Sequence, residues 1–342
     1  MKFSNQNIRA MQAAPLVNPE PPTFTPRQRG WGYFMAALGA VLFSLKAIFI
    51  KLAYQPTGGL VENQLDVITL MALRMGFSIP VYFIIGFWVV RQRRRQGKPL
   101  PKLGTLLKAG SIGLIGYYIC PYLDFAGLKL ITAQLERLLL FTYPAFVLIL
   151  GALFFGLRIS LWGVMSIIIA YLGIAVVFVG GDIAVGENVP LGSIFVLICA
   201  FFFALYQLLA KSRIDVVGGA LFTCVAMTIA ATAVLAHFLV TNATAGTLAT
   251  ALDLPPRIYM LGFSIALFST ILPSFLINIA LGRIGAQAVA MFGMLSPLAT
   301  IFFAIIWLGE PFGPLDALGT GLTIFGIGLY TWIDKRSKAK FA

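Results

Sequence analysis

The chain has 342 residues, 59% of them hydrophobic and only 11% charged, with a mean hydropathy of +0.92 and a formal net charge of +13. A soluble domain carries about 25% charged residues, so too little polar surface exists here to face water, and lipid is the solvent for most of the chain. The positive balance does not mark nucleic acid as a partner, because Lys and Arg gather in short segments between apolar runs, the pattern that sets orientation in a bilayer.

A hydrocarbon core about 30 Å thick takes roughly 20 residues of helix per crossing. The apolar runs are continuous rather than alternating, which selects an all-α bundle over a barrel. Residues 1–30 hold Pro15, Pro19, Pro21, Pro22 and Pro26 and no apolar stretch, so they are expected to form a disordered cytoplasmic tail. Spanning helices are expected at 31–53, 67–90, 106–128, 133–156, 161–180, 191–211, 218–240, 258–281, 285–308 and 314–333. A basic cytoplasmic tail, 334–342, follows.

Between the second and third helices stand Arg91, Arg93, Arg94, Arg95, Lys98, Lys102 and Lys108, a block that resists translocation. With that loop inside, ten helices leave both termini in the cytoplasm and only Lys129 and Arg257 in external segments. The expected location is therefore a cytoplasmic, inner membrane. Cys120, Cys199 and Cys224 lie inside apolar runs, and no residue spacing suits a metal or a disulfide framework.

The chain also repeats itself. A shift of 153 residues places Leu128, Ala133, Gln134, Pro144, Gly156, Gly173 and Ile174 on Leu281, Ala286, Gln287, Pro297, Gly309, Gly326 and Ile327. A shift of 160 places Gly32, Ala40, Phe43, Leu45 and Lys51 on Gly192, Ala200, Phe203, Leu205 and Lys211. The expected halves are 31–180 and 191–333. Each holds five helices, an odd number, so the second must insert upside down relative to the first, as in alternating-access carriers with a midplane site.

Six ionisable residues fall within the spans: Lys46, Lys51, Arg74, Asp124, Glu136 and Arg137. A charge at a helix centre costs about 2.5–3.5 kcal/mol on insertion scales, so such residues are functional candidates. Lys51 is close enough to its helix end to snorkel. Asp124 and Arg137 are at similar depth, which suits either a buried pair or a substrate role. Glu136 is turned about 100° from Arg137 on the helix, so Arg74 or Lys46 is its expected partner. Tyr117 shares a face with Asp124, Tyr143 with Glu136, and Tyr206 and Gln207 are polar residues in the middle of the sixth helix. Pro144 and Pro297 are expected to bend their helices or free a carbonyl toward a cavity.

No phosphate-binding loop, H-E-x-x-H or other catalytic constellation is present, so no catalytic residue, cofactor or ATP-binding module is expected. At Tyr143-Pro144, Ser296-Pro297 and Gly309-Glu310 the chain resembles the EamA-type family of the drug/metabolite transporter superfamily over nearly all of residues 31–333. The first half departs from the family's Gly-Glu at the matching place, where Gly156 is followed by Leu157 and Arg158. The resemblance implies ten helices in two five-helix repeats and a carrier for small molecules such as amino acids or organic acids. The net excess of two positive charges among the six intramembrane groups favours a substrate with an anionic group. The competing class is a polytopic protein that is channel-like or structural rather than a carrier.

Overall fold

The computed structural model describes residues 25–56, 65–97, 99–155, 161–293 and 295–339. Most of the expected N-terminal tail, the sites of Gly156, Leu157 and Arg158, and Lys98 and Lys340 of the basic segments lie outside the described residues.

Helix α1, Pro26–Tyr54, begins five residues before the expected boundary. Thr25 accepts a hydrogen bond from the Gln28 amide, the Gln28 side chain answers to the Thr25 amide, and Pro26 supplies a first helical residue that needs no amide partner. Helix α2 is Val67–Arg95. Helix α3 runs Leu103–Leu130 and contains a π-helical turn at Ile115–Ile119. The expected fourth helix is two pieces, α4 at Ala133–Leu140 and α5 at Tyr143–Phe155, parted at Phe141-Thr142 just before Pro144. Pro144 has no amide to give to the Leu140 carbonyl four residues earlier and its ring crowds that carbonyl, which places the interruption here.

Helix α6 is Leu161–Gly180, α7 is Val189–Val217 and α8 is Gly219–Thr244. Gly218 separates the last two with a φ of 86°, a conformation that L side chains rarely adopt. Helix α9 comprises Pro256–Ala266, a π-helical turn Leu267–Ile271 and Leu272–Gly293. This is a correction: the break expected near residues 282–284 is helix. Gly282 and Gly285 only weaken a helix, and α1 supports the segment by admitting Ile284 against Gly32, where a Cβ would lie 2.6 Å from the Ile284 Cγ2. Helix α10 is Leu295–Phe303 with a π-helical turn Ala304–Leu308, and α11 is Pro314–Ala339, so helix also continues into the expected C-terminal tail.

Among the described residues seven helices are long and apolar enough to cross a membrane, and Val164–Gly180 and Leu295–Leu308 are shorter apolar helices. The fold is an all-α, multi-span membrane fold. Its exposed surface carries Phe83, Phe87, Phe154, Val179 and many similar side chains, which suits lipid contact.

Packing follows a pattern. Helix α1 lies along the C-terminal part of α9, and α7 along the C-terminal part of α3. Helix α1 also contacts α10, and α7 contacts α5; α2 contacts the N-terminal part of α9, and α8 the N-terminal part of α3. Two further pairs, α2 with α8 and α6 with α11, join the halves. The α6–α11 contact is a close approach: a Cβ on Gly326 would sit 2.6 Å from the Ala170 nitrogen and the Ser166 oxygen, and one on Gly173 would strike Gly319 and Thr323. The Thr323 hydroxyl bonds the Ala170 carbonyl at 3.2 Å across this seam. Small residues let backbones meet where lipid offers no hydrophobic drive to association.

Candidate functional site

The buried charges converge between α1, α3 and α4. Lys46 on α1 places its Nζ 2.7 Å from the Asp124 Oδ2 on α3. Arg137 on α4 has its Nε 3.8 Å from the Glu136 Oε2. Asp124 and Arg137 are each 1% exposed and Glu136 is 0% exposed, so these charges are cut off from water. Phe43, one turn before Lys46, offers its ring to both cations: Nζ is 5.6 Å and the Arg137 guanidinium carbon 5.7 Å from the centroid.

Two expected pairings are thereby corrected. Asp124 has Lys46 as its closest ion-pair partner, not Arg137, because the lysine chain reaches across from α1. Glu136 meets its own neighbour Arg137, not Arg74 or Lys46, because long side chains can fold toward each other although their Cβ atoms diverge by about 100°. Arg74 on α2 turns elsewhere. Its Nε donates to the Thr270 Oγ1 at 3.0 Å, and its guanidinium carbon lies 5.9 Å from the Phe125 centroid. Thr270 sits in the π-helical turn of α9 and donates to the Ile265 carbonyl at 3.1 Å. Tyr82 extends this link, with its hydroxyl 3.2 Å from the Ser274 Oγ.

An aromatic group borders the charges. The Tyr206 hydroxyl donates to the Tyr117 hydroxyl at 3.0 Å, with the rings edge to face. Tyr143 packs edge-on to Phe203 with centroids 5.1 Å apart, and Phe203 stacks on Tyr206. Gln207 is hydrogen-bonded to Tyr143. The structure thus divides the nine sequence-derived candidates into an ionic group (Lys46, Asp124, Glu136, Arg137), an aromatic group (Tyr117, Tyr143, Tyr206, Gln207) and Arg74, which joins α2 to α9. Pro144 stands beside the α4–α5 break, and Pro297 lies buried in the first turn of α10.

Hydrogen bonding within the ionic group is incomplete. Among the described residues, no hydrogen bond reaches the Arg137 Nε and Nη2 or the Arg74 Nη1, while the Glu136 carboxyl faces that of Asp124. A buried polar atom left without a partner costs about 1–3 kcal/mol, more when charged. A ligand with an anionic group would satisfy several of these donors at once.

Sequence reading missed a second polar set at the end of the bundle away from Arg91–Arg95. Glu310 accepts from the amides of Ala133 at 2.7 Å and Gln134 at 3.1 Å, and Gln134 donates to the Pro311 carbonyl at 3.0 Å. Asp316 accepts from the amides of Asp182, Ile183 and Gly313 at 3.0, 3.3 and 2.8 Å. Lys51 donates to the Ile131 carbonyl at 3.1 Å, and Lys129 to that of Leu65 at 2.9 Å. Burial pushes the Glu310 carboxyl above the ordinary carboxylate range, opposed by the Ala133 and Gln134 amides and by Lys51.

Lipid-length helices around a dry ionic cluster define a polytopic membrane protein. The EamA-like transporter family matches the chain twice, over residues 30–179 and 190–332. The chain belongs to that family, within the drug/metabolite transporter superfamily, and is a secondary transporter rather than an enzyme. It is 29% identical over 305 residues to an uncharacterized transporter, YcbK, of Bacillus subtilis (strain 168), spanning 88% of this chain and 93% of that one. An uncharacterized transporter of Methanothermobacter thermautotrophicus is 25% identical over 323 residues, spanning 90% and 88%. A crystal structure sharing 15% identity superposes with a TM-score of 0.55 over 89% of this chain and 98% of its own, a likeness of fold alone.

Proposed function

We propose that the protein carries small metabolites bearing a carboxylate, such as amino acids or organic acids, across the cytoplasmic membrane by alternating access. The observation that carries this reading is the ionic group: four buried charged side chains, with the Arg137 Nε and Nη2 making no hydrogen bond among the described residues. Lys46, Glu136 and Arg137 bind the substrate's charged groups, Asp124 holds Lys46, Arg74 ties α2 to α9 beside them, and Tyr117, Tyr143, Tyr206 and Gln207 shape the rest of the site.

The architecture we infer is ten spanning helices in two inverted halves, 31–180 and 191–333. Three features support it. The family matches twice in tandem. Exchanging the two halves turns each packing pair described above into another of the same set. The π-helical turns at Ile115–Ile119 and Leu267–Ile271 occupy matching places. The α4–α5 break and the continuity of α9 through residue 293 are departures between halves, not extra crossings. Both termini face the cytoplasm on this reading, and the end bearing Glu310 is the outer end.

Flux into proteoliposomes over a panel of amino acids and organic acids tests the function; no movement of any panel member by correctly inserted protein overturns it. Reporters fused after Lys102 and at the C-terminus should read cytoplasmic, and one near Asn188 external. An external C-terminus removes the inverted halves.

A further inference from the structure

Helix α4 has an unusual cap. It is eight residues long, and its first amides have no partner within the helix. Thr132 takes one of them, the Leu135 amide, at 3.2 Å. The Ala133 and Gln134 amides are taken by Glu310, which belongs to the other half of the chain. A local acid or hydroxyl could cap this helix without tying it to anything. Here the cap crosses the seam between halves. Gly309, with a φ of 65°, ends the π-helical turn of α10 immediately before Glu310 and lets the chain turn sharply there.

The helix so capped is the one that bears Glu136 and Arg137, three and four residues from its start. A single short helix is stiff, so displacing Glu310 displaces both side chains. Asp316, by contrast, accepts from amides of the short link between the halves and from Gly313 of its own segment. That contact ties neighbours that the link already holds close.

We propose that Glu310 is a latch that closes the outer end and a positioning residue for Glu136 and Arg137, while Asp316 clamps the hinge. The latch contact breaks when the outer end opens and reforms when it closes. This rests on the alternating-access reading, but half of its test does not need flux.

The test starts from a variant with Cys120, Cys199 and Cys224 replaced by Ser that retains transport. Gln134→Cys and Pro311→Cys are joined by a short, cleavable bifunctional thiol reagent; Asp182→Cys and Gly313→Cys form the control pair. Linking 134 to 311 should cut flux at least tenfold, and cleaving the reagent should restore it, whereas linking 182 to 313 should leave flux within twofold. A scaffold contact would tolerate either link, so full flux in the 134–311 linked protein overturns the latch. In the second arm, Ser296→Cys, about 18 Å below the outer end of α10, is labelled from outside with an impermeant maleimide. Glu310→Gln should raise the labelling rate severalfold; an unchanged rate overturns the latch as well. If the unlinked carrier moves no panel compound, the transport reading fails and the labelling arm alone decides the latch.

Discussion

The two segments that match one family are alike in packing and unlike in chemistry. The first segment carries Lys46, Arg74, Asp124, Glu136 and Arg137 in its helices. At the shifts that align the segments, Asp124 corresponds to Ile277, Glu136 to Val289, Arg137 to Ala290 and Lys46 to Tyr206. The second segment supplies Thr270 and Ser274 inside α9, and Glu310 and Asp316 at the end of the bundle. Symmetric helix contacts therefore hold an asymmetric site. Buried ion groups are costly to keep, and among the described residues only the first segment keeps one.

The largest effect should come from substituting the two members of one equivalent pair in turn. Lys46→Met is expected to abolish flux at wild-type expression, while Lys46→Arg retains part of it. Tyr206→Phe, at the equivalent place in the second half, should lower flux by no more than severalfold. Undiminished flux in the Met variant would remove the charged half from the site.

Next in size is stability. Asp124→Asn strands the Lys46 ammonium in a dry setting and should cost about 3–5 kcal/mol, read as a fall in the thermal midpoint in detergent. Lys46→Met combined with Asp124→Asn should recover most of that loss. Lack of recovery in the double variant would mean that the 2.7 Å pair is not the partner that matters. Arg74 gives a smaller figure, because only one hydrogen bond ties it to α9. Thr270→Val should cost about 1.5–3 kcal/mol, the range for a bond to a charged group, and Asp124→Asn and Thr270→Val should add in the double variant if the two clusters are independent.

The smallest effect is a pH dependence confined to the second half. Burial raises the Glu310 carboxyl above its unfolded value of about 4.3. The folded protein then holds the proton more tightly than the unfolded chain does. Stability from this group is present at low pH and declines as pH rises from the unfolded value through the folded one. The thermal midpoint should show that decline in wild type, and Glu310→Gln should flatten it.

The helices were legible because lipid demands long apolar runs, and the charged residues were legible because insertion penalises each of them. Which charge meets which was not. Lys46, Asp124, Glu136 and Arg137 have side chains several bonds long, and helical angles at Cβ do not fix where their ends meet. The bend at Pro144 was visible in the residue itself. The π-helical turns leave no compositional mark, so the Arg74–Thr270 link was invisible. Glu310 could be seen as part of a Gly-Glu ending, yet its role as a cap on α4 joins positions 176 and 177 residues apart, and no local pattern encodes that. Asp316 reads as an ordinary first-turn acid of α11.

The paired π-helical turns at Ile115–Ile119 and Leu267–Ile271 set the direction of the side chains that follow them. Such a turn is the footprint of one residue inserted into an α-helix, and it rotates everything after it by about 100° relative to an uninterrupted helix. The first turn therefore sets the direction of Asp124, which follows it, and the second holds Thr270 within it. Deleting one residue from Ile115–Ile119 should therefore swing Asp124 away from Lys46 and break the ion pair in one step.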